Sequence, residues 1–397
     1  MNQIEIAEAL RKGATELPWE GEPLLGGTYG EEEIEAVVEA IRDSMDISRG
    51  FGFSAEPIVK FEEEFARYTG TRFACAVNSA GPGQDIVMRY LNFQPGDEVI
   101  VPCINYDAAP LAVLGAGGKV VWGEVRESDL MLDPADVERK ITPRTRAIFP
   151  VHIHGLCAPM AEYEAVAARH PHPVHGPAKV IGDAARAAGG DDGAVKVGKR
   201  GWATVFSFQT MKNMTCLGEG GMITTDDEDL NRYAHCVRMY GREIGAWGTS
   251  NVMTKVQAAA GRVQLRKLDG FIAARRRVAA QRTAWLEGTK GIALPPRPSE
   301  HSFYLYPIML AEALAGAPRD KLVALMRDRY HIGCMVANPP VYELHAYVAQ
   351  KCGCDSPVSE ALSRRIVCLP IHPAMGEGDN KFITAAFLTC LNEIRAE

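Results

Sequence analysis

Seven short apolar runs, separated by loops or helix-forming stretches, set the strongest limit on what this chain can fold into. They span 73–77, 98–101, 119–122, 147–152, 179–182, 203–208 and 221–225. Several are apolar at nearly every position, whereas a strand with one wet face alternates. Such runs suit strands covered by helices on both faces. Helical stretches at 133–141 and 160–169 lie between them. The alternation predicts an α/β domain built on a mostly parallel, seven-stranded sheet.

The flanking segments read as helices. In 31–43, Ile34, Val37, Val38 and Ile41 share a face, and acidic residues fill the first turn, where the helix dipole favours them. In 58–68, Phe61 and Phe65 stand one turn apart and Gly70 is a C-terminal stop. A proline-free stretch, 252–286, is weakened only at Asp269-Gly270 and leads out of the large domain. A smaller C-terminal α+β domain follows, with a strand at 303–310 and helices at 319–330 and 381–394. The expected division is 1–275, an N-terminal arm and large domain, and 276–397, a small domain.

Composition narrows the function classes. The net charge of −7 argues against a nucleic-acid footprint, which needs a basic face. No apolar run approaches the roughly 18–20 residues that span a bilayer. Residues 1–16 are charged throughout and lack an apolar h-region, so no secretory signal is expected. The ten cysteines contain no C-x-x-C pair, and Cys352 and Cys354 stand as an isolated C-x-C. Scattered thiols in a long chain suit a reduced, cytoplasmic enzyme. No metal site is expected.

Ligands of open α/β sheets sit outside the carboxyl ends of the strands. Four loops at such ends stand out. Asn78-Ser79-Ala80-Gly81-Pro82-Gly83 is small, glycine-rich and runs into a helix at 84–91, so its N–H groups suit a phosphate as well as a plain tight turn. It is no dinucleotide fingerprint, because Ile86 stands where a third glycine belongs. Val101-Pro102-Cys103-Ile104-Asn105-Tyr106 puts an aromatic ring past a strand end. Asp183-Ala184-Ala185-Arg186 puts an acid at the end of an apolar strand, either as a helix N-cap or as a partner for a cation. Ser207-Phe208-Gln209-Thr210-Met211-Lys212 precedes Gly218-Glu219-Gly220-Gly221. Singly, each has an ordinary structural reading. In this order they form the inventory of a pyridoxal 5'-phosphate site: a phosphate loop, a stacking aromatic, a carboxylate for the ring nitrogen and a Schiff-base lysine.

At these residues the chain resembles the DegT/DnrJ/EryC1/StrS sugar aminotransferases, which are fold-type-I pyridoxal phosphate enzymes. The likeness runs from about Gly26 to Ile394. It includes Pro95-Gly96-Asp97-Glu98-Val99-Ile100-Val101-Pro102, Ile141-Thr142-Pro143-Arg144-Thr145 and Pro150-Val151-His152. Asp183-Ala184-Ala185, and Lys212 with its Gly-Glu-Gly-Gly turn, are its most specific parts. Gln257-Ala258-Ala259, Gln264-Leu265 and Leu369-Pro370-Ile371-His372-Pro373 add to it. The resemblance implies that Lys212 holds the cofactor, Asp183 pairs with the pyridinium and Tyr106 stacks on the ring. It implies that Ser207 binds the phosphate, and that Asn251 reaches the phosphate from the partner subunit, so that a homodimer shares its active sites.

Two positions depart from the family. Ser79-Ala80-Gly81 replaces the usual Ser-Gly-Thr and loses a hydroxyl. Arg186 replaces the usual His or Gln beside the cofactor's phenolic oxygen. Its five donors and fixed charge suit a substrate carboxylate, a retuned cofactor or an outward surface ion pair. His152 and His154 are expected two apart on one strand, and so on one face. The expected function is amino transfer from glutamate or glutamine to a keto-sugar, nucleotide keto-sugar or keto-cyclitol. A lyase, aldolase or epimerase on the same cofactor is the nearer alternative, and a non-catalytic sensor the more distant one.

Overall fold

All seven apolar runs become strands of one sheet in the computed structural model, which describes residues 1–13, 18–50, 52, 55–297 and 299–396. Residues 14–16, at the end of the stretch expected to lack a secretory signal, lie outside the described residues. The strands are β1 Phe73–Val77, β2 Glu98–Pro102, β3 Lys119–Gly123, β4 Thr145–Ile148, β5 Lys179–Asp183, β6 Ala203–Ser207 and β7 Gly221–Thr225. Their order is β1-β7-β6-β5-β4-β2-β3. β7 runs antiparallel to both neighbours, and the other pairings are parallel. β2, β4, β6 and β7 are buried at every position, as strands covered on both faces are.

Before β1 come the helices α1 Gln3–Lys12, α2 Glu31–Ser44 and α3 Glu56–Thr69, and α4 Ala80–Tyr90 follows it. α3 packs as its periodicity predicts. Phe61 and Phe65 are fully buried, and Phe65 meets Phe206 and Phe208 edge-on at 5.0 and 5.3 Å. α2 behaves differently. Ile34 and Ile41 of its apolar face are 54% and 47% exposed, while Glu33 and Ala40 are buried. Glu33 takes the inner side because its carboxylate accepts from Lys267 and Gln264, both at 2.8 Å, and from the Gly30 N–H.

A second, antiparallel sheet is formed by β8 Ile292–Ala293, β9 Tyr306–Leu310 and β10 Ile366–Leu369, in the order β10-β9-β8. Helices Ala317–Tyr330 and Glu377–Ala396 accompany it. β9 starts three residues later than the run at 303–310 predicts, because Phe303 has a φ of 49°, outside the β region. The 32-residue helix Lys255–Leu286 joins the two sheets. Leu265, Leu268 and Ile272 pack with apolar residues beside the large sheet; Val278, Ala279 and Leu286 pack with those of the small one. The first helix of the arm packs on the small unit: α1 lies against Glu377–Ala396, with Ile6 and Leu10 in its apolar cluster.

One expectation fails. β4 ends at Ile148, and His152 and His154 do not share a strand face. Pro150 has no N–H to give to the ladder, so only Val151 continues it, as an isolated bridge to Asp183. His154 then lies in a single 3₁₀ turn, Ile153–Gly155, with a φ of 56°.

Candidate active site

The parallel strands bring the ends of β2, β5 and β6 to one edge, with the β1–α4 turn and the start of β7 beside them. Asp183 is the last residue of β5 and is almost fully buried. Its Oδ1 accepts from the Ala185 N–H at 3.0 Å and its Oδ2 from Gln84 Nε2, on α4, at 2.9 Å. Burial pushes its carboxyl up, against the pull of these N–H groups and of the Arg186 and Lys212 charges.

Lys212 lies in the turn after β6. Its Nζ donates to the Tyr304 hydroxyl at 3.2 Å and stands 3.7 Å from Glu22 Oε1. Burial first, and the Arg186 charge second, lower its amine from 10.5 to about 8, against Glu22 and Asp183. The arm is pressed onto this turn. Gly26 N–H donates to Thr210 O at 2.9 Å, and a Cβ at Gly26 would sit 2.0 Å from Met211 O, so only glycine fits. Arg275, fully buried, ties the arm to both units by donating to Gly26 O at 2.6 Å, Phe303 O at 3.1 Å and Ile371 O at 3.0 Å.

Ser79 precedes α4 in an extended conformation and makes no side-chain cap bond. Its hydroxyl donates instead to Glu219 Oε2 at 3.2 Å. Ala80 and Gly81 form the first turn of α4, where N–H groups have no partner inside the helix. Space around Gly81 is open: no atom of the described residues, its own chain neighbours aside, lies within 4 Å of where its Cβ would be. Ser207 ends β6, and its Oγ accepts from the Gln209 N–H at 3.4 Å. Tyr106, beyond β2, is 66% exposed, with its N–H held by Asn105 Oδ1 at 2.7 Å. Asn251 is tied by its backbone to the same loop, its carbonyl accepting from the Asn78 N–H at 3.0 Å.

Arg186 is buried, so the outward surface ion pair is ruled out. It donates to Asn338 Oδ1, and Asn338 Nδ2 donates to Asn105 O at 2.6 Å. Its guanidinium lies 5.6 Å from the Tyr304 ring centre. His152 Nδ1 accepts from the Ala158 N–H at 3.0 Å, while its Nε2 is buried against Gly182 with no partner among the described residues. Burial lowers this imidazole to about 4. Glu22, Gln84, Tyr304 and Asn338 were not foreseen as site residues.

This set fits pyridoxal phosphate. An amine pressed toward neutrality suits a carbonyl. A buried carboxylate bonded only to neutral N–H groups suits a protonated ring nitrogen, and an open helix start flanked by serines suits a phosphate. The comparisons agree. The chain matches the DegT/DnrJ/EryC1/StrS aminotransferase family over residues 28–388. It is 30% identical over 371 residues to the spore coat polysaccharide biosynthesis protein SpsC of Bacillus subtilis (strain 168), covering 88% of this chain and 92% of that one. It is 34% identical over 319 residues to the dTDP-3-amino-3,4,6-trideoxy-alpha-D-glucose transaminase of Streptomyces venezuelae, covering 79% and 81%. Its fold is that of the putative sugar aminotransferase Spr1654 from Streptococcus pneumoniae in its PMP form, with a TM-score of 0.86, 23% identity and coverage of 94% and 98%. The chain belongs to the DegT/DnrJ/EryC1/StrS aminotransferase family and is a pyridoxal phosphate-dependent aminotransferase.

Proposed function

We propose that this enzyme moves an amino group from glutamate or glutamine to a keto-sugar, a nucleotide-linked keto-sugar or a keto-cyclitol, in cytoplasmic sugar or natural-product biosynthesis. The observation that carries the reading is the pairing of Lys212 and Asp183 at one sheet edge, each pushed toward its neutral form by burial. The names of the two curated relatives, a polysaccharide biosynthesis protein and a dTDP-sugar transaminase, support the sugar side.

Pyridoxal phosphate, when bound, supplies an electron sink for a carbanion at the donor's α-carbon. Lys212 would hold the cofactor covalently and, as a free amine, would carry the proton that leaves that carbon. Asp183, kept in place by Gln84 and the Ala185 N–H, holds the ring nitrogen's proton. Ser79, Ala80, Gly81 and Ser207 would receive the phosphate, and Tyr106 and Arg186 would contact the ring. Asn251 of the partner subunit completes the phosphate contacts in a homodimer. The uncovered face of α2, with Ile34, Ile41 and the exposed Met45 just beyond it, supports such an interface.

The test is an absorbance titration of the purified holoenzyme. Glutamate or glutamine should bleach the visible band of the lysine-bound cofactor, and a keto-sugar nucleotide or keto-cyclitol should restore it. A band indifferent to both donors would refute the assignment.

A further inference from the structure

Three polar groups from distant parts of the sequence form a chain that ends on the Lys212 amine. Lys212 Nζ donates to the Tyr304 hydroxyl at 3.2 Å, and that hydroxyl donates in turn to Glu22 Oε1. The direct gap from Nζ to the same carboxylate oxygen is 3.7 Å, so the hydroxyl is the hydrogen-bonded route between them. Tyr304 is completely buried, while the Glu22 side chain is 23% exposed. The middle of the chain is therefore dry, while both its ends, the Lys212 side chain at 16% exposure and Glu22, reach water.

The support is rigid on both sides of Glu22. Trp19 O accepts from the Gly333 N–H at 2.9 Å, Leu25 O meets His372 Nε2 at 2.8 Å, and Gly26 is fixed against Thr210. The charged groups facing Lys212 come from three elements: Asp183 at the end of β5, Arg186 in the turn after it and Glu22 on the arm. Arg186 and burial drive a proton off the amine, while Glu22 and Asp183 hold it there. A purely structural ion pair would have no reason to press its own cation toward neutrality.

We propose that Glu22 is a positioning residue: through the Tyr304 hydroxyl, its side chain orients the Lys212 amine and keeps the proton on it. The Tyr304 oxygen accepts from the amine while its own hydroxyl donates to Glu22, so the arm fixes where Lys212 Nζ points. The inference rests on the reading of Lys212 as the cofactor-holding residue.

The test uses apo and holo forms of the full chain carrying Glu22→Gln, Glu22→Asp and Tyr304→Phe. In the apo protein, trace acetylation by acetic anhydride, followed at the Lys212 peptide by mass spectrometry across pH, reads the amine's midpoint directly. Glu22→Gln should lower that midpoint by about one pH unit, and Glu22→Asp should restore most of it. In the holoenzyme, Tyr304→Phe should lower kcat by more than about tenfold with KM little changed, the mark of a misplaced Lys212 amine. An unmoved midpoint in a folded Glu22→Gln variant overturns the proposal, as does wild-type kcat in Tyr304→Phe. Should Tyr304→Phe fail to fold, the Gln/Asp pair decides alone. Borohydride trapping of the cofactor on the wild-type Lys212 peptide tests the underlying reading separately; its absence would bring down both.

Discussion

Two clusters of buried charge use the same kinds of residue to opposite ends. Beside β1, Glu62 accepts from Arg238, from the Ala76 N–H at 2.8 Å and from His235 at 3.4 Å. Arg238 also donates to Ala76 O at 2.6 Å. Burial pushes the Glu62 carboxyl up, but His235 and Arg238 override it and hold it low. Burial pulls His235 down, but the Cys75 sulfur and Glu62 carry it up to about 10. Glu62, His235 and Arg238 are each held toward their charged forms. At the Lys212 edge the shifts run the other way: burial lowers the amine and raises the Asp183 carboxyl, and the Arg186 cation has a neutral amide for its partner. A cluster whose charges are held by their partners is structural cement; one whose groups are pushed toward neutrality is poised for chemistry. Glu62, Cys75 and His235 bring ligand atoms within 4.8 Å of one another, but the Arg238 guanidinium already occupies the carboxylate a metal ion would need.

The sharpest way to break the contrast is to remove one member from each cluster. Lys212→Ala should abolish the borohydride-reducible visible band and cost at least about 10⁴-fold in turnover, since both the covalent link and the proton carrier are lost. A variant that keeps the band would show that another lysine holds the cofactor. Glu62→Gln should leave that band intact once folded but lower stability by about 3–5 kcal/mol, because it strands the Arg238 cation in the core. Urea titration measures this, and a wild-type midpoint would remove Glu62 from the structural class.

How much of this contrast the sequence reveals depends on distance along the chain. The seven strands were legible because each is a bounded, near-continuous apolar run. Asp183, Ser207 and Lys212 were legible because each lies at or just beyond the end of such a run. The Glu22–Tyr304 contact spans 282 positions and the Arg186–Asn338 contact 152, and no local pattern announces either. Helical periodicity in α2 shows an apolar face but not what covers it; Glu33, with Lys267 and Gln264, decides that instead. His152 and His154 were misplaced because Pro150 stops a ladder that the apolar run alone would continue.

A pH scan of the apo protein separates the two clusters through stability. The Lys212 amine, lowered from 10.5 to about 8, is protonated in both folded and unfolded chains below pH 8, so its burial penalty is then felt in full. Between about pH 8 and 10.5 the unfolded chain binds more protons, and stability from this group rises with pH. The whole gap, from 10.5 to about 8, corresponds to about 3 kcal/mol. His235 has the opposite sign: its contribution is complete below 6.5 and is lost as pH climbs through about 10. Lys212→Met should therefore be more stable than wild type by up to about 3 kcal/mol at pH 7, with the advantage vanishing above pH 10.5. A constant advantage across the scan would mean that the buried amine carries no such penalty.

Arg186 gives the smallest and most discriminating effect, because it combines features of both clusters. It is buried and hydrogen-bonded like a structural cation, yet its Asn338 partner is neutral and its charge helps press the Lys212 proton away. Arg186→Gln keeps a donor toward Asn338 and removes the charge. If Arg186 clamps a substrate carboxylate, the loss should fall mainly on KM, since a clamp binds ground and transition states alike. A lost charged hydrogen bond of roughly 1.5–3 kcal/mol raises KM about 10- to 150-fold. If Arg186 acts instead through Lys212, KM should hold, and the Lys212 midpoint in the apo protein should rise as the opposing charge disappears. Steady-state kinetics with the amino donor and acetylation of the Lys212 peptide, on this one variant, separate the two. Neither change would place Arg186 with Arg238 among the structural cations, and the Lys212 cluster would then owe its poise to burial alone.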